Sequence, residues 1–421
     1  RAPVRRGSSE GIDEMTSISK PKPKDETTDA SQFLTRIGYV VLALSAPAGV
    51  VLHPLTIFIL FPVGIVLICL AALIDPPPNS GDRLVAALTT PAVLLGLAGL
   101  AWAALSMFWT PFPIAAGQHV LKLSLWTLAV WLALSAPPER ARATDLYLFP
   151  LGLVLGMLTM LAVWIAKRQG ASLEQVSIPD GSVALATLLF PAMAGLAARG
   201  RNGHARLLLI LAFVYAFAIG STPTTIALLV GFTALSFALS DLDRTTVDLS
   251  WLAGGVILFA PVIVLLVEPL AHWMMHAKLP TLPPPFPSIA FAASVVKHEW
   301  IRLLTGHGFE TVGRGVHYGV LPPYTPRALL FEIWYELGLV GALIAAAGAW
   351  FGVRAIGAAP PRLAPYLAAA FACNFTLAVL SEDLTDLSWF TVLAIAIILA
   401  DIAARSQYRT TRPSAAYLAH F

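Results

Sequence analysis

The sequence is poor in charged residues and in cysteine. Only 12% of its 421 residues are charged, whereas soluble domains carry about 25%. Its two cysteines, Cys69 and Cys373, both lie within apolar runs, so we interpret each as a small core residue. These shortages exclude an ordinary soluble domain and give no basis for a disulfide framework.

Several nucleotide, redox and metal motifs are also missing. The sequence has no Walker loop, no dinucleotide-binding fingerprint, no HExxH and no CxxC, so ATP hydrolysis, redox chemistry and a structural zinc site have no support. His272 and His276 are spaced to share a helix face but lack an obvious third ligand. We therefore predict no metal site and no cofactor. The net charge of +3 indicates little about partners, because membrane topology accounts for the basic residues, and no nucleic-acid partner is predicted.

Long apolar runs make up most of the chain. Hydrophobic residues account for 57% of it, and the mean hydropathy is +0.76. A membrane span needs about 20 apolar residues if it is helical, and these runs are continuous and too long for barrel strands. The sequence predicts an all-α polytopic membrane protein with about twelve transmembrane helices. The expected spans are 34–52, 54–75, 84–108, 115–135, 145–166, 181–198, 205–220, 223–240, 250–271, 328–353, 363–380 and 388–404.

The distribution of basic residues predicts the orientation. Residues 1–33 are polar and are expected to form a disordered cytoplasmic tail, with Met15 as a possible initiator and no cleavable signal peptide. The transmembrane domain would cover 34–404, and 405–421 would form a second cytoplasmic tail. The short outer loops hold only Lys167 and Arg168, whereas the inner loops are rich in arginine, so both termini are expected to be cytoplasmic. The inner-loop arginines are Arg83, Arg140, Arg142, Arg199, Arg201, Arg206, Arg244, Arg354 and Arg362.

One long polar segment, 272–327, interrupts the apolar runs between the ninth and tenth spans. It would face the outer side of the membrane, and it concentrates titratable and cationic side chains. We expect the chemistry of the protein to take place there. The histidines are His272, His276, His298, His307 and His317, and the cations are Lys278, Lys297, Arg302, Arg314 and Arg327.

The segment has three recognisable parts. The proline-rich stretch 279–287 is expected to be extended, and 288–304 could form a helix along the membrane surface. In "GHGFET", Gly306 and Gly308 permit positive φ and close approach of the backbone to a ligand. Such a turn could present its amides and His307 to a phosphate.

The tenth span is expected to start with Thr325 as N-cap and Pro326 as the first helical residue. Glu332 and Glu336 would then lie on one helix face inside the membrane. Ionisable groups at that depth usually face a cavity or a partner. Two interpretations stay open: a functional pair, or carboxylates that merely bond arginines or buried polar groups.

The motifs "GHGFET" and "PRALLFEIWYELGLVGAL" resemble the O-antigen ligase and O-antigen polymerase superfamily. "IPDGSVALATLLFP", from Ile178, and "GSTPTTIALLVG", from Gly220, are similar to two further segments of that family. The chain departs from the family pattern at three places. Thr325 and Arg327 stand where family ligases usually have a histidine, and Thr222 stands where many members have arginine. An arginine often found before the glycine turn is replaced near Ser288.

The resemblance implies a metal-independent glycosyltransferase of the bacterial inner membrane. It would move a glycan from undecaprenyl diphosphate to a hydroxyl of lipid A core, as a ligase does, or of a growing repeat chain, as a polymerase does. A leaving diphosphate needs cations, for which we predict Arg302, Arg314 and Arg327. The acceptor needs a base, for which we predict His307 ahead of His317, with Glu332 or Glu336 as the alternative.

The sequence also suggests two further groups that contact the substrate. Lys122, with His119 nearby, would either reach a lipid phosphate or snorkel to the interface, and Gly306 and Gly308 would let the substrate approach. Membrane lipids are the remaining expected partners.

Two other classes stay open. Twelve spans also suit a secondary transporter, although the sequence shows no internal repeat and no paired broken helices. The missing family histidine and arginines would suit a non-catalytic homologue.

Overall fold

The computed structural model describes residues 26–53, 55–76, 80–136, 147–170, 172, 177–276, 286–382 and 385–405. Within these residues all regular secondary structure is helical, which confirms the all-α prediction for this part of the chain. A π-helical turn, Val41–Ser45, joins α1 to α2, and a second, Ile333–Leu337, joins α15 to α16. The α-helices are α1 (Glu26–Val40), α2 (Ala46–Leu52), α3 (Thr56–Ile74), α4 (Ser80–Leu88), α5 (Pro91–Ser106), α6 (Pro113–Ser135), α7 (Leu148–Arg168), α8 (Ile178–Ala198), α9 (Asn202–Ile219), α10 (Thr222–Ser240), α11 (Leu242–His276), α12 (Phe286–His298), α13 (Arg302–Thr305), α14 (Thr311–His317), α15 (Leu329–Glu332), α16 (Gly338–Gly357), α17 (Ala364–Leu380) and α18 (Leu387–Arg405).

The helices have the composition of a multi-pass membrane protein. In the part of the chain that the structure describes, nine helical segments are long and apolar enough to cross a membrane. Every predicted span overlaps a helix, but α5 and α17 are shorter than a full span. Helix α6 is long, and it carries the polar residues Gln118, His119 and Lys122. The architecture is thus a multi-span helical bundle, and the count of twelve spans stays a prediction.

Helix α8 forms the centre of the bundle. All its residues from 181 to 198 are buried, and it packs against α2, α7, α9, α17 and α18.

Glycines of α7 allow its backbone to approach the π-turn Val41–Ser45 and α2 closely, as is usual between membrane helices. A Cβ added at Gly152 of α7 would lie only 2.0 Å from the Ala43 carbonyl oxygen, and one at Gly156 would lie 2.9 Å from the Pro47 oxygen.

The N-terminal boundary differs from the prediction. Helix α1 begins at Glu26, so the expectation of disorder is wrong for residues 26–33. The Ser31 hydroxyl is buried and donates to the Ala71 carbonyl at 2.8 Å, which attaches the start of α1 to α3. Residues 1–25 and 406–421 lie outside the described residues, as do the prediction of disorder for 1–25 and the prediction of a C-terminal cytoplasmic tail.

The described part of the long polar segment is mostly helical. Helix α11 continues to His276, and α12 starts at Phe286 with Pro287 in its first turn, so the predicted extended stretch does not reach residues 286 and 287. Its other residues, 279–285, lie outside the described part. The expected helix within 288–304 is present as α12 and α13. Helix α12 packs on α11, and a 2.5 Å ion pair between Lys297 and Glu268 joins them.

The predicted start of the tenth span is wrong by one helical turn. The helix begins at Leu329, and Ala328 is its extended N-cap. The Thr325 hydroxyl donates instead to the Pro322 carbonyl at 2.7 Å. The Leu329 amide is satisfied by the Glu382 carbonyl, at 2.5 Å, from the connection between α17 and α18. A tertiary acceptor therefore replaces the local cap.

Candidate functional site

The glycine-rich turn docks on a break in the helix that follows it. Gly338 has φ 66° and ψ −159°, which interrupts the helix between the π-turn Ile333–Leu337 and α16. The last carbonyls before such a break have no partner within the helix, and a buried carbonyl without one is costly. Three distant donors bond them: the His307 amide to Tyr335 O at 2.8 Å, the Gly308 amide to Glu336 O at 2.9 Å, and Trp102 Nε1 to Leu337 O at 2.8 Å.

Glycine is required on both sides of this contact. A Cβ at Gly306 would lie 2.1 Å from Glu336 O, and one at Gly338 would lie 2.5 Å from the Gly306 nitrogen. At Gly308 an added Cβ would meet Thr110 at 2.6 Å. The "GHG" and "ELG" motifs are therefore two halves of one close backbone contact. The amides of Gly306 and Gly308 donate to backbone carbonyls, so the structure gives these glycines a packing role, and direct contact with substrate stays a prediction.

The Glu336 side chain holds the other end of the turn. It is fully buried, and its two oxygens accept the amides of Glu310, at 3.0 Å, and Val312, at 2.8 Å. These amides belong to the first turn of α14 and its N-cap, where helix N–H groups lack internal acceptors. This geometry matches the second open interpretation for Glu336, a carboxylate bonded to buried polar groups. Glu332 is fully buried as well.

Glu310 forms the most unusual contact of the site. Among the described residues it is the single non-glycine residue with positive φ, at 67°. Its Oε1 lies 2.9 Å from His119 Nδ1 on α6, and both side chains are buried. The Phe309 ring packs edge-on against the imidazole, at 5.7 Å between centroids. The turn thus delivers a carboxylate to a histidine of another helix.

Cationic and polar groups converge beside this pair, around Gly313. A Cβ built at Gly313 would lie 3.6 Å from Arg327 Nη2, 3.7 Å from Thr385 Oγ1 and 3.8 Å from Glu310 Oε2. Arg314 Nε lies 3.7 Å from the same Glu310 oxygen. The structure therefore brings two of the three predicted phosphate-binding arginines together next to Glu310.

The predicted histidines occupy different surroundings. His307 is buried and stacks on Tyr335 at 4.0 Å between centroids. Its Nδ1 lies 3.0 Å from Tyr335 O, and its Nε2 lies 2.6 Å from a Glu299 carboxylate oxygen. A substrate hydroxyl would have to displace one of these partners. His317 is exposed at the end of α14.

Two other predicted cations lie outside this convergence. Arg302 is exposed at the start of α13, and Lys122 is exposed on α6. Neither is among the groups placed around Gly313 or bonded to Glu310. Their role in substrate binding stays a prediction.

The two other family-like segments meet at the starts of α8 and α10. The Ser182 hydroxyl is bonded to those of Ser221 and Thr224, at 3.1 and 2.9 Å. Nearby, burial together with the Asp386 carboxylate raises the pKa of Glu382 to about 8. The Asp180 carboxylate acts on Glu382 in the same direction, which places the start of α8 near the connection between α17 and α18.

An apolar cavity of about 560 Å³ lies between α11, α12 and the segment that contains α15. Its walls are almost entirely hydrocarbon, with Val264 from α11, Val295 from α12 and Phe331 from α15. Pro326, the residue before Arg327, also lines it. Ala328, the residue after Arg327, lines it too, so the chain on both sides of Arg327 borders the cavity.

Comparison with protein-family models and with curated proteins finds no match to this chain. Assignment of a function therefore depends on the geometry above and on the motif resemblance. Sequence reasoning did not pair His119 with Glu310. The available signals were a histidine within the apolar α6 and the glutamate of "GHGFET".

Proposed function

We propose that this protein is a membrane glycosyltransferase that moves a glycan from undecaprenyl diphosphate to an acceptor hydroxyl. The observation that carries the proposal is the convergence of Arg314, Arg327 and Glu310 around Gly313, together with an apolar cavity that Pro326, the residue before Arg327, helps to line. The donor lipid has the same two parts, a diphosphate and a hydrocarbon chain. The resemblance of the paired "GHG" and "ELG" motifs to the O-antigen ligase and polymerase superfamily supports the same class.

The arginines would stabilise the leaving group. As the bond between the sugar and the diphosphate breaks, negative charge develops on a phosphate oxygen, and guanidinium groups neutralise it with directed hydrogen bonds. Charge stabilisation of this kind is usually a large contribution to catalysis. Arg314 is partly exposed and Arg327 is exposed, so a lipid headgroup can approach them.

The cavity would hold part of the hydrocarbon chain. Pockets for apolar ligands are lined mainly by aliphatic and aromatic side chains with a few polar groups at one end. Val295, Phe331 and Trp334 line the cavity, and Pro326 connects its wall to Arg327. We propose that the cavity opens on the periplasmic side of a bacterial inner membrane, as the distribution of basic residues predicts.

The test is glycan transfer by the purified protein in lipid nanodiscs. The donor is a glycan on undecaprenyl diphosphate, and the acceptors are lipid A core and a second lipid-linked repeat. Transfer to the first would identify a ligase, and transfer to the second a polymerase. In Arg327→Ala we expect the rate to fall about 10- to 100-fold, the equivalent of one charged hydrogen bond.

Arg244→Ala is the matched control, because Arg244 is exposed and pairs only with Asp248 on its own helix in the described contacts. Its rate should equal that of the wild type. Absence of transfer to both acceptors by the folded wild-type protein would contradict the proposal, as would an unchanged rate in Arg327→Ala.

A further inference from the structure

The contact between His119 and Glu310 has the geometry of an oriented base. Glu310 Oε1 accepts a hydrogen bond from His119 Nδ1 at 2.9 Å. A neutral imidazole that donates from Nδ1 carries its lone pair on Nε2. His119 Nε2 is buried and has no hydrogen-bond partner among the residues that the structure describes. A buried polar nitrogen without a partner calls for an explanation, and a catalytic role is one of the known explanations.

The backbone conformation of Glu310 also points to a functional site. A non-glycine residue with φ 67° is strained by about 1–3 kcal/mol, and such strain concentrates at functional sites. Two contacts maintain the conformation: the Glu310 amide donates to Glu336, and its carboxylate contacts His119. The other carboxylate oxygen lies 3.7 Å from Arg314 Nε. The carboxylate therefore lies between the imidazole and the cations proposed for the diphosphate.

We infer that His119 is the base that deprotonates the acceptor hydroxyl, and that Glu310 is the residue that positions it. This inference rests on the proposed function. The hydroxyl proton moves to His119 Nε2 while the hydroxyl oxygen bonds to the anomeric carbon of the donor sugar. The bond from that carbon to the diphosphate oxygen breaks, and its electron pair leaves on the diphosphate, which faces Arg314 and Arg327. The proton is then released from Nε2 to the diphosphate product or to water.

We assign the role of the base to His119 in place of His307. Both nitrogens of His307 already have partners, Tyr335 O and the Glu299 carboxylate, whereas His119 Nε2 has no partner in the part of the chain that the structure describes. His307 then has a structural role, because it joins the glycine turn to the π-turn.

The decisive variant is His119→Asn. The asparagine amide nitrogen takes the position of Nδ1 and keeps the hydrogen bond to Glu310, but asparagine cannot accept a proton. General-base catalysis contributes about 10²- to 10⁴-fold, so we expect transfer to fall at least 100-fold. Binding of undecaprenyl diphosphate and the melting temperature should stay at wild-type values. His204→Asn, at an exposed histidine of α9, is the matched control and should transfer normally.

The separate values of kcat and KM distinguish a positioning residue from a merely structural contact. Glu310→Gln keeps the size of the side chain but removes the charged partner of His119 Nδ1. We therefore expect kcat for transfer to fall while KM for the donor lipid stays at the wild-type value. A wild-type kcat in Glu310→Gln would contradict the positioning role.

The outcomes also separate this inference from the function on which it rests. Normal transfer by His119→Asn would overturn the inference and leave the glycosyltransferase intact. Absence of transfer by the wild type would instead refute the proposed function. Loss of both transfer and lipid binding in His119→Asn would show a structural role and also overturn the inference.

Discussion

Replacing Glu336 with glutamine should release the glycine turn from the broken helix. The glutamate accepts two buried amides with its two oxygens, from Glu310 at 3.0 Å and from Val312 at 2.8 Å. Glutamine offers one oxygen and one NH₂ group, so one amide would face another donor. The change alters the size and the shape of the side chain very little, so it adds no steric clash to the loss of charge and of one acceptor.

The expected magnitude follows from the two bonds. A buried amide without an acceptor costs about 1–3 kcal/mol, and the remaining bond loses its charge and about half its strength. Together they should lower the free energy of local opening by about 3 kcal/mol. Because about 1.4 kcal/mol corresponds to a factor of ten, the amides near residues 310–312 should exchange about 100-fold faster.

Hydrogen–deuterium exchange with mass spectrometry measures this effect on peptides that cover 306–317. Glu299→Gln is the matched control, because the Glu299 carboxylate is about half exposed and bonds only His307 in the described contacts. Because solvent screens the half-exposed carboxylate, the pair contributes about 1 kcal/mol or less, so exchange should accelerate by less than about tenfold. Equal exchange in Glu336→Gln and the wild type would refute the view that this carboxylate holds the turn.

Two further predictions concern the space around Gly313 and the pH dependence of Glu382. Gly313→Ala adds a methyl group at ordinary contact distance from Arg327 and Glu310, so we expect normal stability but at least tenfold weaker binding of undecaprenyl diphosphate. The control Gly348→Ala, in open space, should bind the lipid normally. Weaker binding in both variants would contradict the role of the space around Gly313. The pKa of Glu382 is raised to about 8 in the folded state, above its unfolded value of about 4.3, so the folded state holds the proton more tightly. Stability should therefore fall as pH rises from 5 to 8, and Glu382→Gln should remove most of that fall, on the order of a few kcal/mol, in melting curves recorded across this range. An equal fall of stability with pH in Glu382→Gln and in the wild type would show that Glu382 does not cause it.

The helical architecture could be predicted because continuous apolar runs have few structural solutions in a membrane. The start of the tenth span was mispredicted for a physical reason. Thr325 and Pro326 carry a strong local capping signal, but the Leu329 amide is satisfied by Glu382 O from a distant connection. A tertiary hydrogen bond, which the sequence alone does not reveal, therefore sets the start of the helix in place of the local capping signal.

The site was predictable only in part. The predicted position of Glu336 inside a membrane span indicated that it needs a partner, and the structure shows its two oxygens bonded to two amides of the glycine turn. The contact of His119 with Glu310 joins residues that are 191 positions apart. No local pattern connects them, because the pairing depends on how α6 packs beside the turn.

Binding of undecaprenyl diphosphate is the measurement that tests the central claim most directly. Native mass spectrometry would compare this lipid with undecaprenol, which has the same chain and no phosphate, on the wild type and on the double variant Arg314→Ala/Arg327→Ala. The account predicts at least tenfold tighter binding of the diphosphate lipid by the wild type and loss of that preference in the double variant. Equal binding of the two lipids by the wild type, or an undiminished preference in the double variant, would contradict it.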